Sequence, residues 1–278
     1  MQKRRKNHRV LPGFGLSMGL TMAYLGIMVM LPLSALIVKG TRLSPPHFWA
    51  LVSTERVISS FRLSIVCAGF AALANAILGF LVAWVLARYS FPGKRLADSL
   101  VDLPFAMPTA VAGIALTTLY SNNGWLGGLL NKAGVAVAYT PLGIVVALSF
   151  VGFPFVVRTV QPVLEDCERE VEEAASSLGA RPWNIFTRVI FPKVRPALLT
   201  GAALSLARGL GEYGSVVFIS GNMSFRTEIA PLIIMTRLEQ FDYDGASAIA
   251  ISFLAISFAF LFSINLFQWV GRRKQEIR

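Results

Sequence analysis

Six apolar runs alternate with polar segments along this 278-residue chain, at residues 14–38, 63–87, 100–120, 141–160, 197–220 and 246–270. Each is about 20 residues or longer, the length a helix needs to cross a bilayer. Inside hydrocarbon every backbone amide must be bonded within the protein, and for runs this long a helix does that. The sequence lacks the alternating apolar–polar strands of a membrane barrel. The pattern predicts an all-α polytopic membrane protein with six transmembrane helices.

Between the fourth and fifth runs lies a polar island, residues 165–195, reading EDCEREVEEAASSLGARPWNIFTRVIFPKVR. It is longer than a simple connection between spans and is patterned as a pair of small helices. Its length and charge suit a surface gripped from the cytosol. The chain divides into residues 1–60 (basic leader, first span, first external loop), a five-helix core at 61–270, and a short tail at 271–278. The second external loop, 121–140, is rich in glycine and carries Trp125 and Tyr139. Those two side chains suit the membrane interface, in a shallow helix on the outer face.

Composition agrees with the pattern: 55% hydrophobic residues, 15% charged and a mean hydropathy of +0.61 exclude an ordinary soluble domain. The net charge of +11 invites a nucleic-acid reading, but the placement of the cations excludes it. With the N-terminus in the cytosol, 18 Lys and Arg fall on the inner side, 7 fall on the outer side, and Arg208 lies within a span. That bias places both termini in the cytosol. The first run exceeds the apolar core of a secretory signal and is read as a retained span. Cys67 lies in a span and Cys167 in the polar island, so both are expected as free thiols.

Two spans carry unusual residues. The third holds Pro104 and Pro108, four apart, which remove helical donors and predict a kinked or unwound stretch. Such a break is tolerated where it packs against protein or faces a watery route. A plain packing kink is the competing reading. The fifth holds small residues at every fourth position (Gly201, Ser205, Gly209; Ala203, Ala207, Gly211, Ser215), which allow close approach of neighbouring helices. It also holds Arg208 and Glu212, placed by an i, i+4 spacing on one helix face. Charges at that depth must pair or face water. The pair therefore either neutralises itself, or Arg208 also lines an anion's route.

Catalytic patterns are missing. The chain has no phosphate-binding loop, and Gly93-Lys94 is followed by Arg95. His8 and His47 are too far apart for a metal pair. No catalytic residue, cofactor or metal ligand is assigned to this chain.

Within the island, Glu173-Ala174-Ala175 is followed by Gly179 and then by Val189, Phe191 and Pro192. This spacing resembles the EAA loop of bacterial ABC importer permeases, with Val189 and Phe191 in place of the usual Ile and Leu. A chance Glu-Ala-Ala in an ordinary loop is the competing reading of the triplet alone. The segments 103–113 (LPFAMPTAVAG), 153–165 (FPFVVRTVQPVLE) and 208–222 (RGLGEYGSVVFISGN) extend the resemblance over most of the core. Residues 227–231 and 238–242 favour the CysT type over its CysW-type partner. The chain thus resembles the sulfate/thiosulfate (CysT-type) permease family; residues 1–60 contribute little to the match.

The resemblance implies a type I ABC importer permease fold in a bacterial inner membrane, with a plastid inner membrane as the alternative. It implies a homologous CysW-type permease partner, an ABC ATPase dimer that holds ATP and Mg, and a periplasmic sulfate/thiosulfate-binding protein. The island would form the coupling helix from Glu173 to Ser177, with Gly179 at the turn, Pro182 in the first turn beyond and Pro192 closing the motif. Arg208, Glu212, Pro104 and Pro108 are the candidate pathway residues. A molybdate/tungstate permease is the nearest alternative. A gradient-driven transporter or an integral-membrane enzyme is further away, the latter for want of a catalytic constellation.

Overall fold

The computed structural model describes residues 14–167 and 169–276, and all regular structure among them is helical. The basic leader, residues 3–9, lies outside the described residues. In chain order the helices are α1 Phe14–Thr41, α2 Pro45–Val52, α3 Glu55–Arg88, α4 Lys94–Val101, α5 Leu103–Ala106, α6 Thr109–Tyr120 and α7 Trp125–Lys132. There follow α8 Pro141–Glu165, α9 Arg169–Ser177, α10 Pro182–Leu210, α11 Val216–Ser220, α12 Ala230–Glu239 and α13 Tyr243–Glu276.

Five of these (α1, α3, α8, α10 and α13) are long and apolar enough to cross a membrane. Side-chain size shows which face goes where. On α3 the buried positions are mostly small, such as Ser60, Ser64, Ala68, Ala71, Ala72 and Ala83, whereas Phe70, Leu73, Ile77 and Leu81 point outward. A water-soluble helix would bury the large side chains. In lipid, apolar tails offer no hydrophobic drive between helices, so small faces pack by van der Waals contact and large ones meet lipid.

The centre is a three-helix packing of α3, α8 and α10. A Cβ on Gly201 of α10 would lie 2.9 Å from the Cα of Val156 on α8, so this crossing admits only glycine. A polar knot sits one turn further along: Asn75 of α3 donates to Ser205 of α10 at 2.9 Å beside Gly152 of α8, with both side chains buried. Two apolar clusters flank it. One gathers Phe61, Leu148, Ile219, Leu232 and Phe253. The other gathers Leu86, Val156, Leu164, Ile190 and Val194. The short α7 occupies the loop where a shallow helix was expected. α1 buries no residue of its own; it meets the body near Lys39, whose ammonium lies 4.5 Å from the centre of the Tyr243 ring.

Two expected spans are not continuous. In the run 100–120 the chain forms α5, passes through extended backbone at Met107 and Pro108, and restarts as α6, which has 12 residues. Neither proline kinks a helix. Pro104 lies in the first turn of α5 and Pro108 is the residue before α6, positions where the missing N–H costs little. The run 197–220 begins earlier and ends earlier than expected: α10 starts at Pro182 within the polar island and stops at Leu210. Residues 211–215 are non-helical before α11. Gly209, Gly211 and Gly214 within six residues lower helix propensity enough for side-chain bonding to decide the outcome.

Candidate functional site

The hairpin between α8 and α10 is closed by hydrogen bonds that its sequence requires. Gly179 adopts φ +84°, a left-handed backbone that side chains disfavour. Its N–H donates to the Ser176 carbonyl at 2.9 Å, and the Ala180 N–H reaches back to Ala175 at 3.0 Å. This pair of bonds is a Schellman cap on α9, with Ala175 and Ala180 at the two positions that meet across it. The spacing of Ala175 and Gly179 is therefore the spacing of a helix end. Glu170 and Glu172 lie in the first turn of α9, where negative charge suits the helix dipole. Arg181 is extended, as a residue before proline prefers, and Pro182 opens α10.

Pro192 has a mechanical setting as well. It lacks an N–H, and the preceding residues 186–190 form a π-turn in which the Phe191 N–H donates back to Phe186. The helical ladder is thus loosened where the hairpin joins the spanning part of α10. Aromatic rings brace that joint: Phe186 lies 5.6 Å from Trp183 and 5.7 Å from Trp84 of α3, centre to centre. Glu172 is paired with Arg88 at the end of α3. The far side of the hairpin is open. Leu178 is 89% exposed and Trp183 71%, and Val171, Glu173 and Ala174 are also exposed. Val171, Ala174 and Leu178 follow a helical i, i+3, i+7 spacing; Val171 also borders a crevice against Val189 and Ile190 of α10, while Ala174 and Leu178 lie exposed beside Glu173.

The second constellation is the meeting of the two broken runs. A Cβ on Gly214 would lie 2.2 Å from Thr109 Oγ1, and one on Gly113 would lie 2.5 Å from the Ser215 carbonyl. The start of α6 and the segment 211–215 thus touch backbone to backbone. Arg208 pairs with Glu212, but not along one helix face: α10 has ended, and Glu212 follows it in non-helical backbone. The Glu212 side chain is 2% exposed, and its Oε1 accepts from both the N–H and the hydroxyl of Ser215 at 3.0 Å. One carboxylate therefore binds Arg208 and secures the turn into α11. Arg208 remains about a third open. Pro108 belongs to this meeting point. Pro104 sits in α5, where Phe105 packs edge-on against Phe155 of α8.

Sequence reasoning missed three charge clusters that join distant parts of the chain, besides the local pair of Arg237 with Asp242. Arg56 of α3 holds Glu228 through two bonds of 2.6 and 2.7 Å, at the end of the bundle away from the hairpin. Arg88 holds Glu172. Arg158 of α8 donates to Asp98, Asp102 and Gln161, tying α4 to the helix that enters the hairpin. The partners lie 172, 84 and 56–60 residues apart, apart from the local Gln161, so no local pattern reveals them. Among the described residues no cluster of His, Cys, Asp and Glu assembles as a metal site.

The sequence model for the binding-protein-dependent transport system inner membrane component matches residues 75–275. The fold is similar to that of a bacterial ABC transporter involved in the import of the acidic polysaccharide alginate, with a TM-score of 0.76 and 17% identity over 92% of this chain and 95% of the other. It is also similar to the MetNI methionine ABC transporter in inward-facing form, with a TM-score of 0.53 and 18% identity over 84% and 99% of the two chains. The chain is a multi-pass membrane permease of the ABC importer class.

Among its relatives, the sulfate transport system permease protein CysT of Escherichia coli is 48% identical over 96% of this chain and 97% of its own length. The CysT protein of Synechocystis is 48% identical over 91% and 88%. The chain belongs to the CysT-type group of binding-protein-dependent permeases.

Proposed function

We propose that this chain is the membrane-spanning subunit of an importer that carries sulfate or thiosulfate inward at the expense of ATP hydrolysed on separate subunits. The observation that carries this reading is the hairpin. It is a capped helix braced on one side by Arg88 and aromatic rings, and its other side exposes Ala174 and Leu178 beside Glu173. Such a surface needs a partner, and an ABC ATPase dimer holding ATP and Mg supplies it. Glu173, Ala174 and Ala175 form the docking helix, Gly179 sets its end, and Pro192 loosens its junction with α10.

On this reading the hairpin and both termini face the cytosol, in a bacterial inner membrane. The Arg56–Glu228 end then faces the periplasm, where a sulfate/thiosulfate-binding protein docks. A homologous CysW-type subunit completes the translocation path. The names of the relatives support sulfate, and an arginine about a third open beside a helix break supports an oxyanion route. Arg208 offers its free donors to the anion while Glu212 fixes its position. Pro108 and the glycine break at 211–215 form the wall that moves. This chain supplies the path, and nucleotide and Mg are carried by the ATPase subunits.

The test is uptake of labelled sulfate by cells expressing this chain with its ATPase and binding protein. Uptake is expected to vanish when the ATPase is inactivated and to be competed by thiosulfate more strongly than by molybdate. Uptake that persists without a functional ATPase would disprove the reading, and stronger competition by molybdate would reassign the substrate.

A further inference from the structure

α3 runs 34 residues without a proline and without a π or 3-10 turn. Three of the other core spans are interrupted: α8 contains Pro154 and Pro162, α10 holds a π-turn near its start, and the third run is split, whereas α13 is likewise continuous over 34 residues and α3 differs from it by the ion pairs at its ends. From Arg56 to Arg88 a straight helix extends about 48 Å at 1.5 Å per residue, well beyond the hydrocarbon layer. An ion pair sits at each end. Arg88 holds Glu172 of the hairpin, with the Arg88 side chain only 11% exposed, and its guanidinium lies over the Trp84 ring. Arg56 grips Glu228 through both carboxylate oxygens, and Glu228 is 1% exposed.

We propose that α3 is a rigid rod that carries movement of the hairpin to the segment 221–229 on the opposite side of the membrane, with Arg88–Glu172 and Arg56–Glu228 as its two joints. The inference rests on reading the hairpin as the ATPase contact. The joints differ in kind. At the outer one a planar fork meets a carboxylate side-on, the geometry that best fixes direction. The segment it holds is itself stiff, because the Met223 carbonyl accepts from Arg226, Thr227 and Glu228, and Thr227 Oγ1 accepts from the Met223 N–H. At the inner joint Nε of Arg88 is buried with no partner among the described residues, so only the Glu172 contact and the Trp84 face fix the guanidinium. The inner joint is therefore the compliant one, able to turn as α9 moves. Between the joints, Asn75 ties the rod to α10 through Ser205.

Arg56 and Arg88 act as positioning residues, so their test must separate transmission from local damage. Arg56→Gln, Arg88→Gln and the double variant are assembled with ATPase, partner permease and binding protein in liposomes. The ratio of binding-protein-stimulated to basal ATPase is then measured. Each single change is expected to lower the ratio by about fivefold, a typical coupling between sites. The double is expected to fall no further, because a rod cut at one end transmits nothing more to lose.

Two independent local defects this far apart would instead multiply to about 25-fold, since distant changes add in free energy. That result, or single variants with an unchanged ratio, overturns the rod. Failure to assemble of both these Gln variants and the charge-keeping Arg56→Lys and Arg88→Lys would make the pairs structural and overturn it as well. A wild-type complex that shows no stimulation at all would instead sink the ATP-coupled reading on which the rod depends.

Discussion

The Ala180 N–H donates to the Ala175 carbonyl at 3.0 Å, closing a loop whose one left-handed residue is Gly179. This bond sets where α9 ends and hence which side chains its open face presents. A Cβ at position 179 would meet nothing within 4 Å, so any cost of substitution is conformational and not steric. Gly179→Val is expected to cost roughly 1–2 kcal/mol locally by forcing a β-branched residue into left-handed backbone. Since the cost falls on the hairpin and not on the bundle, the complex should still assemble while stimulated ATPase drops. Gly179→Asn, which tolerates that backbone better, should retain more stimulation. Equal behaviour of Val and Asn would separate the cap from the coupling.

Much of this hairpin was legible in the sequence because its determinants are local. Gly179 follows Ala175 by the distance a Schellman cap needs, and Pro182 marks the next helix start. Four of the six runs were found as continuous helices, with the helices extending beyond the apolar stretch: α3 begins at Glu55 and α8 continues to Glu165. Apolarity marks where lipid is, not where a helix stops. The breaks were harder to place. Pro104 and Pro108 foretold one, but the end of α10 at Leu210 depends on Glu212 preferring Ser215 to another helical turn. The ion pairs of Arg56, Arg88 and Arg158 with acids outside their own helices are products of tertiary packing, so their sequence neighbours say nothing of them.

Arg208 and Glu212 allow packing and transport roles to be separated. Arg208→Ala alone leaves a carboxylate almost wholly buried without its cation, and the Ser215 bonds remain. Loss of one partner of a buried pair is severe; with Arg208 a third open, about 2–3 kcal/mol is the expected loss of stability. Arg208→Met combined with Glu212→Gln removes both charges and should recover complex yield in detergent. Sulfate uptake by the double variant is nevertheless expected to stay low, because no cation then faces the path. Recovery of uptake along with yield would leave Arg208 as a packing residue only.

Gly113 and Gly211 form a matched pair for testing the contact between the two broken runs. Alanine at 113 places a methyl group 2.5 Å from the Ser215 carbonyl, whereas alanine at 211 meets nothing within 4 Å. Gly113→Ala should therefore force the breaks apart at a cost of about 1–3 kcal/mol, seen as a lowered melting midpoint of the purified complex. Gly211→Ala should change it by no more than about 0.5 kcal/mol. A melting midpoint as low for Gly211→Ala as for Gly113→Ala would show that glycine flexibility, and not close approach, sets this region.

Leu178 tests whether the open face of the hairpin is a docking surface at all. It is 89% exposed, directly precedes Gly179, and continues the helical spacing of Val171 and Ala174. A leucine so placed contributes little to the folded chain, so Leu178→Asp should leave expression, membrane insertion and the melting midpoint of the isolated permease unchanged. If an ATPase covers the side chain, its full burial is worth about 2 kcal/mol, and an aspartate there adds a desolvation cost. The affinity for the ATPase should then fall by about 30-fold or more, read as loss of co-purification at submicromolar concentration. Trp183→Asp should act in the same direction but also unsettle the stack with Phe186, and so lower the melting midpoint. Leu178→Asp permease that retains its ATPase at wild-type stoichiometry would move the contact elsewhere on the hairpin, towards Glu173 and the first turn of α9.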